Sequence, residues 1–436
     1  MHDLLHQLIV DSLHTDLPGF TRRDVRLSNV KNKAHAIIGM RRSGKTTFLW
    51  QCLADRMAAG VPREALLYLN FEDERLTGMD AGDLQWMLED YFRLLPQWRD
   101  HRTVTFFLDE IKVVEGWETF IRRLLDTERI GVFLSGSSAR LLSSEVATSM
   151  RGRALATTVL PFSFREVLRH DGMEPSRGWS RLPKAERSRI DARLHRYLVE
   201  GGFPEAQGLS RRDRRLLLRN FVDVAVIRDV IERHDVSNPT ALRWLQRQLL
   251  ANPAGFFSVQ KHYDALRAQG IAVAKDTMHS YLEHLEDAFL VRIVAMHTRS
   301  ERQRRVNPRQ AYPIDPGLID VYERTSAPNT GHALETVIML ELERRGCEIG
   351  YVRTSEGYKI DFHVRNPDGE PHLIQVCTDI SVHEAREGEI RALTSAAKEH
   401  PRAVPILITL DTIPPNPVLP EPLQWKCAAD WLLDFS

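Results

Sequence analysis

The sequence has few of the features of a secreted or membrane-embedded protein. Its 436 residues include 4 cysteines, Cys52, Cys347, Cys377 and Cys427. They form no CxxC pair and no Cys/His cluster at zinc-ligand spacing, so neither a disulfide scaffold nor a structural zinc is expected, and a reducing cytoplasm fits best. The N-terminal segment lacks the basic and apolar parts of a signal peptide. No apolar run approaches the roughly 18 residues of a membrane span, so we expect a cytoplasmic protein without a membrane partner.

The sequence also lacks net charge. It has 59 Lys and Arg residues against 59 Asp and Glu residues, which excludes a uniformly basic nucleic-acid binder and an acidic tail protein. The balance is a sum of unlike parts, because arginines dominate residues 211–219 and 299–309 whereas acids gather in 276–287 and 384–389. A locally basic contact surface therefore stays open. The length allows about two to four domains.

Residues 33–161 alternate short apolar runs with helical periods, which predicts a parallel sheet covered on both faces. The predicted strands are 34–38, 65–71, 104–108 and 131–135, and the predicted helices are 46–59, 81–95 and 117–126. A charged helical segment follows at 162–233, then a compact helical unit at 238–296. From residue 331 a second α/β pattern begins. The fold class is therefore predicted as α/β.

A glycine-rich loop follows the first predicted strand and fits GxxxxGK[ST] at every fixed position. Such a loop turns backbone N–H groups toward phosphates, and the next helix presents its N-terminus to the same charge. Lys45 is predicted to reach the β- and γ-phosphates and Thr46 to ligate Mg²⁺. The alternative is a glycine turn that matches by chance. The predicted nucleotide-binding residues are Gly39, Met40, Arg41, Arg42, Ser43, Gly44, Lys45, Thr46 and Thr47.

Acidic and hydroxyl side chains follow the next strands of the predicted sheet. Asp109 and Glu110 end an apolar strand, and α/β proteins bind ligands at that edge of the sheet. Asp109 is predicted to orient Mg²⁺ and Glu110 to polarise the attacking water. The alternative is an ordinary acidic turn. Ser137, after the following strand, is predicted to touch the γ-phosphate or this water, and an N-cap role is an equal alternative.

Several motifs together resemble a known family, the prokaryotic AAA-type ATPases with a C-terminal DUF4143 domain. The resemblance covers most of the chain and rests on the glycine loop, Phe-Leu-Asp-Glu-Ile before Gly-Trp-Glu, and the segments 135–138, 150–153, 160–164, 197–205 and 228–233. It implies ATP as the nucleotide. The residues themselves do not identify the base, because no NKxD-type guanine motif is found. It also implies a winged-helix middle domain and a C-terminal domain related to PD-(D/E)xK nucleases.

Phosphoryl transfer benefits from an arginine that neutralises charge on the γ-phosphate, often supplied by a neighbouring subunit. Arg153 is the predicted residue, and Arg151, Arg228 and Arg233 are further candidates. The alternative for each is a surface or ion-paired arginine.

The middle unit predicts a helix-turn-helix, with helices at 257–269 and 276–290 and wing strands at 291–295 and 310–314. Its second helix is acidic, which disfavours approach to phosphates. The stretch from Arg299 to Arg309 is basic and is predicted to contact DNA or another partner, with a solvated loop as the alternative.

The C-terminal pattern places Glu335, Asp361, Gln375 and Cys377 in the order of a PD-(D/E)xK nuclease site. Such a site needs carboxylates for Mg²⁺ and a lysine for water. Gln375 and Cys377 replace the expected carboxylate and lysine, so a nuclease-like fold with a lost active site is predicted. A structural Asp361 is the favoured explanation, and Lys359 is the residue that keeps residual cleavage open.

The complete prediction is a P-loop NTPase sheet with a helical lid at 1–235, a winged-helix domain at 236–325 and a restriction-endonuclease-like α/β domain at 326–436. The expected function is Mg²⁺-dependent ATP binding and hydrolysis, coupled to domain rearrangement and to binding of DNA or a protein. The alternative is an ATP-switched binding module with little turnover, and an active nuclease ranks third. A homo-oligomer is also expected.

Overall fold

The computed structural model describes residues 1–99, 101–136, 150, 152–298, 300, 302–303, 307–323, 329–380, 383–415 and 418–434. The chain divides into two compact units, Met1–Leu160 and Pro161–Ser436. The division into three domains at residues 235 and 325 stays a prediction.

A parallel sheet of five strands forms the centre of the first unit, as the alternating sequence pattern predicts. The strand order is β2-β3-β4-β1-β5, and all neighbouring strands run in the same direction. The middle strands are mostly apolar and almost completely buried, because helices cover both faces of such a sheet. The strands are β1 (Ala34–Ile38), β2 (Leu66–Asn70), β3 (Val104–Asp109), β4 (Ile130–Gly136) and β5 (Ala154–Thr158).

The helices of the first unit pack on this sheet through apolar faces. They are α1 (His2–His14), α2 (Lys45–Ala58), α3 (Ala81–Leu94) and α4 (Trp117–Thr127). Phe48 and Leu49 of α2 pack in one core cluster with Phe107 and Phe133 of the sheet. This packing fixes the start of α2, and with it the glycine loop, above the carboxyl end of β1.

The second unit begins with helices and a small antiparallel sheet. The helices are α5 (Phe164–His170), α6 (Lys184–Glu200), α7 (Arg211–Val224), α8 (Pro239–Ala251), α9 (Val259–Ala268) and α10 (Lys275–Asp287). Helix α7 continues through a π-helical turn, Ala225–Ile231. The strands β6 (Phe256–Phe257), β7 (Val291–Val294) and β8 (Arg309–Pro313) pair antiparallel in the order β6-β8-β7. Two helices followed by an antiparallel pair match the predicted element order of the middle unit.

The rest of the second unit is a mixed five-stranded sheet with the order β13-β12-β11-β10-β9. Its strands are β9 (Glu348–Arg353), β10 (Lys359–Arg365), β11 (Pro371–Cys377), β12 (Val404–Thr409) and β13 (Gln424–Cys427), and the helices are α11 (Gly317–Tyr322), α12 (Thr330–Arg344), α13 (His383–Glu399) and α14 (Ala428–Leu433). Leu393 and Ala396 of α13 pack on Ile360, Leu373 and Leu407. The register between β9 and β10 shifts between Ile360 and His363, which marks a bulge.

Candidate functional site

The glycine loop between β1 and α2 has the geometry of a phosphate cradle. Gly39 has φ 149° and Gly44 has φ 98°, conformations that residues with a Cβ rarely adopt. A Cβ on Gly39 would overlap the carbonyl oxygen of Val159. Gly44 is the N-cap of α2, so the first N–H groups of that helix lie at the end of the loop. One end of the loop therefore packs closely against the backbone of Val159. The other end leads into the N-terminus of α2, where an anion is stabilised.

A buried arginine from outside the motif supports the loop from below. Arg23 is 6% exposed, and its Nη1 donates to the carbonyl of Ser43 at 2.9 Å. Its Nη2 donates to the carbonyl of Leu160. Gln51 of α2 holds the Arg23 backbone at both ends, accepting from its N–H at 2.7 Å and donating to its carbonyl at 3.1 Å. Sequence reasoning missed Arg23, because no motif marks it.

Lys45 and Thr46, at the start of α2, lie where the motif predicts. Lys45 is buried, and its Nζ donates to the Met40 carbonyl at 3.1 Å, across the loop. Thr46 Oγ1 donates to Asp109 Oδ2 at 2.8 Å. A hydroxyl and a carboxylate in contact provide the oxygen donors that Mg²⁺ prefers. The two residues predicted to hold the metal are thus brought together from α2 and β3, and this donor set fits Mg²⁺.

Asp109 is held in place by hydroxyl groups from the two neighbouring strands. Tyr68 of β2 donates to Asp109 Oδ2 at 2.8 Å. Ser135 of β4 donates to the other carboxylate oxygen and accepts from the Glu110 backbone N–H at 2.9 Å. Sequence reasoning named Ser137 for this strand end, and Ser137 lies outside the described residues. Ser135 is the serine that the structure places next to both acids.

Glu110 turns out of β3 in a left-handed conformation, with φ 52°. Its Oε2 lies 3.2 Å from Lys112 Nζ. Burial alone would raise the pKa of Glu110, but the charges of Lys112 and Lys45 outweigh it, and the net pKa is lowered. The carboxyl is therefore ionised at neutral pH, the form that can accept a proton from water or orient it.

Arg153 lies at the amino-terminal end of the strands, whereas the glycine loop lies at their carboxyl end. It immediately precedes β5, whose first residue Ala154 pairs with Ala34 at the start of β1. Its guanidinium forms an ion pair with Asp126 and donates to the Arg122 carbonyl at 3.2 Å. This position does not fit a role on a γ-phosphate bound by the same chain. A role on a neighbouring subunit's nucleotide stays a prediction.

A second polar cluster occupies the C-terminal sheet of the second unit. Lys359 Nζ lies 3.2 Å from Glu335 Oε1 and 3.0 Å from Asp361 Oδ1. Asp361 Oδ2 accepts from the Val376 N–H at 2.9 Å. Gln375 lies next to them, since its Oε1 accepts from the Asp361 N–H at 3.3 Å. Three of the four residues predicted for the nuclease-like site therefore meet, and Lys359 joins them.

Two further groups belong to this cluster, and the predicted residue Cys377 makes its hydrogen bond elsewhere. Glu389 of α13 accepts from Gln375 Nε2 at 2.7 Å, and Tyr312 donates to Glu335 Oε1 at 2.8 Å. Sequence reasoning missed both, because they lie on elements outside the nuclease pattern. Cys377 donates its S–H to the Asp379 carbonyl at 3.3 Å, and its membership of the site stays a prediction. It is the second residue past Gln375 on β11, and its contact lies beyond the strand end.

Two glutamates of this cluster, Glu335 and Glu389, have raised pKa values. Burial, and then the nearby Asp361 carboxylate, raise the pKa of Glu335 to about 7. Burial and Asp361 also raise the pKa of Glu389. Burial alone would lower the pKa of Lys359, but the carboxylates of Asp361 and Glu335 raise it. Glu335 and Glu389 therefore ionise less readily than free carboxyl groups, and the Lys359 ammonium is the cation that already lies beside Glu335 and Asp361.

The fold and the first site together have the features of a P-loop nucleotide-binding domain of the AAA type. A family model described as "AAA domain" matches residues 31–168, and a second, described as "Domain of unknown function (DUF8612)", matches residues 191–328. The latter match does not confirm the expected DUF4143 assignment. The chain is 31% identical over 402 residues to Uncharacterized protein MJ1544 of Methanocaldococcus jannaschii, covering 91% of this chain and 86% of that protein. The chain belongs to the same family as MJ1544.

Other proteins show more distant similarity to this chain. An uncharacterized protein of Haemophilus influenzae is 29% identical over 352 residues, which is 80% of this chain and 84% of the relative. Among solved structures, the Walker-type ATPase PABY2304 of Pyrococcus abyssi aligns with 14% identity and a TM-score of 0.41, over 74% of this chain and 95% of that one. Aeropyrum pernix Orc1 in complex with DNA aligns with 13% identity and a TM-score of 0.27, over 74% and 90%. Among the helices described, none has the length and apolarity needed to cross a bilayer.

Proposed function

We propose that the first unit binds and hydrolyses ATP with Mg²⁺. The observation that carries the proposal is the contact of Thr46 with Asp109 at 2.8 Å, directly beside the glycine loop and the ionised Glu110. A loop alone would suit any anion. The loop together with a metal-binding pair and a buried base has the parts that phosphoryl transfer to water needs.

Each residue then has one task. Lys45 leaves the Met40 carbonyl and donates to β- and γ-phosphate oxygens, while the loop N–H groups hold the β-phosphate. Thr46 and Asp109 hold Mg²⁺, which when bound neutralises charge on the phosphates. Glu110 orients the attacking water and accepts its proton. Tyr68 and Ser135 keep Asp109 in one orientation, and Arg23 keeps the loop closed.

Replacing Lys45 by alanine is expected to remove nucleotide binding. The change deletes the buried cation that faces the phosphates, and we expect ATP affinity to fall by about 10- to 150-fold, since a hydrogen bond to a charged group contributes roughly 1.5–3 kcal/mol. Titration with a fluorescent ATP analogue measures it. The matched control is Lys33→Ala at the opposite end of β1, which should bind as the wild type does. Equal affinity of Lys45→Ala and wild type would contradict the proposed site.

We further propose that ATP turnover controls the binding of a partner by the second unit. Helices α9 and α10 with strands β7 and β8 support a winged-helix module, a class that often binds DNA. Arg302, within the connection between β7 and β8, and Arg309, the first residue of β8, are the described members of the basic stretch that begins at Arg299. We also propose that the protein acts in the cytoplasm as a homo-oligomer. We propose in addition that its C-terminal sheet belongs to a DUF4143-type domain.

A second candidate function is metal-dependent phosphodiester hydrolysis by the C-terminal cluster. The favouring observation is that Lys359 takes the place of the missing lysine and Glu389 adds a carboxylate beside Gln375. Glu335, Asp361 and Glu389 would hold Mg²⁺ or Mn²⁺, and Lys359 would position the attacking water. The cluster therefore has more of a nuclease site than Gln375 and Cys377 alone suggest.

Asp361→Asn is expected to abolish cleavage of plasmid DNA in the presence of Mn²⁺. The change removes the carboxylate that both Lys359 and the Val376 N–H orient. We expect the rate of plasmid nicking to fall by at least about 100-fold. Agarose-gel assays measure this rate. Glu384→Gln, an exposed position on α13, is the matched control and should cleave normally. Cleavage that survives Asp361→Asn, or a wild type that does not cleave with Mn²⁺, would contradict this candidate and leave a structural cluster.

A further inference from the structure

Three histidines from distant parts of the second unit meet at one place. His297 follows β7, His363 lies on β10 and His400 follows the last residue of α13. Their potential ligand atoms all lie within 4.8 Å of one another. The rings of His297 and His363 are stacked with centroids 3.6 Å apart, and the His400 ring lies 5.4 Å from that of His363. No motif of the sequence links these positions, and the ATPase and nuclease-like sites do not use them.

The backbone holds each histidine in place before any ligand arrives. The segment that carries His297 pairs with the edge strand β9, where the His297 N–H donates to the Tyr351 carbonyl at 2.7 Å and the Tyr351 N–H donates to the Ala295 carbonyl at 3.1 Å. The register shift in β10 separates His363 from Lys359 and Asp361, which meet Glu335 instead. The His400 N–H donates to the Ala396 carbonyl and so continues α13. The backbone of His297 is thus held by pairing with β9, that of His363 by its place in β10, and that of His400 by the end of α13.

Clustered imidazoles at this distance are costly unless they are neutral or share a cation. Burial, and then the neighbouring histidines, lower the pKa of His363 to about 4, so the ring is neutral at physiological pH. A neutral imidazole nitrogen is the form that binds a metal. Tetrahedral Zn²⁺ bonds of about 2.0–2.1 Å require nitrogens roughly 3.3–3.4 Å apart. The His297 and His363 rings are stacked at an interplanar angle of 12°, so metal binding requires them to rotate out of the stack until a nitrogen of each faces the ion.

We propose that His297, His363 and His400 bind one zinc-class divalent metal ion. An all-nitrogen set suits Zn²⁺, Co²⁺, Ni²⁺ or Cu²⁺ and disfavours Mg²⁺ and Ca²⁺, which prefer oxygen ligands. His297 is exposed, so a water molecule has access to the fourth position. The metal ties the segment after β7 to the C-terminal sheet and to the end of α13. It is a different site, with a different metal class, from the Mg²⁺ sites of the ATPase and of the carboxylate cluster.

The test is zinc and cobalt binding by the full chain, purified without a histidine tag, in excess Mg²⁺ to fill the carboxylate sites. We expect one Zn²⁺ per chain by equilibrium dialysis and metal analysis, and visible Co²⁺ absorption bands of a tetrahedral nitrogen site. His400→Ala and His297→Ala each should weaken binding by more than about 100-fold. His195→Ala, an exposed histidine on α6, is the matched control and should bind normally.

A thermal-unfolding measurement distinguishes a variant that has lost its metal ligand from one that has lost its fold. Saturating Zn²⁺ should raise the unfolding temperature of the wild type and of His195→Ala, and leave that of the folded His400→Ala variant unchanged. Circular dichroism of the metal-free variants checks that they keep the wild-type fold. Binding of one Zn²⁺ that survives both His400→Ala and His297→Ala, or a wild type without bound Zn²⁺ or Co²⁺, would overturn the proposal.

Discussion

Replacing Glu110 by glutamine is expected to stop ATP hydrolysis while ATP stays bound. The amide keeps the size of the side chain and the β3 backbone geometry, but it cannot accept a proton from the attacking water. We expect kcat to fall by about 10²- to 10⁴-fold, the usual contribution of general base catalysis, with ATP affinity within a few-fold of the wild type. Phosphate release measures the first quantity, and titration with a fluorescent ATP analogue measures the second.

The control for this variant is Glu115→Gln. Glu115 is exposed and lies five residues further along the same connection, so its amide variant should hydrolyse ATP at the wild-type rate. A wild-type rate for Glu110→Gln would remove Glu110 from the mechanism. A Lys45→Ala variant that turns over normally would remove the whole site.

The same variant separates an enzyme from a nucleotide-switched binding module. If turnover drives the function, the variant held with ATP should be trapped in one state, and whatever nucleic acid or protein co-purifies with it should stay bound. If ATP acts only as a switch ligand, partner binding should respond to ATP equally in the variant and the wild type. Co-purification with and without ATP, followed by identification of the bound material, distinguishes the two.

The parts of the ATPase site that lie within one short stretch of chain were predictable from the sequence. The glycine loop is defined by residues in sequence, and its glycines are required by backbone angles that the motif itself implies. Asp109 and Glu110 were predictable because an apolar strand carries its last residues to the ligand-binding edge of a parallel sheet. Their contact with Thr46 follows from that topology.

Residues that act through tertiary contacts were not predictable. Arg23 supports the loop from a segment without regular periodicity, and one arginine among many gives no signal until its burial is known. Ser135 was passed over for Ser137, because the strand end is defined by pairing with β1 and β3 rather than by residue type. Glu389 joins the carboxylate cluster from a helix whose acids look like a solvated face. The three histidines together span more than a hundred residues of chain, so spacing rules for local metal-ligand motifs do not apply.

Two neighbouring glycines between α6 and the next turn join distant parts of the second unit. Gly201 has φ 77° and ψ −173°, a region essentially restricted to glycine. Asp315 accepts from the Gly202 N–H at 2.7 Å and from the Gly317 N–H at 2.9 Å. A Cβ on Gly201 would overlap Asp315 Oδ1 and lie 2.8 Å from the Gly317 nitrogen. Burial raises the pKa of Asp315 to about 6. Its carboxylate is held by both backbone N–H groups, so it cannot move aside for a Cβ on Gly201.

Gly201→Ala is therefore expected to be among the most destabilising single changes in the second unit. The backbone strain of about 1–3 kcal/mol adds to an overpacking cost of similar size, so we expect a loss of roughly 3–5 kcal/mol. Gly208→Ala is the matched control, since Gly208 also has a positive φ, 74°, but has no atom within 4 Å of the built Cβ. It should cost only about 1–2 kcal/mol. Thermal and urea unfolding followed by circular dichroism measure both, and equal midpoints for the two variants would show that the contact with Asp315 contributes nothing beyond backbone strain.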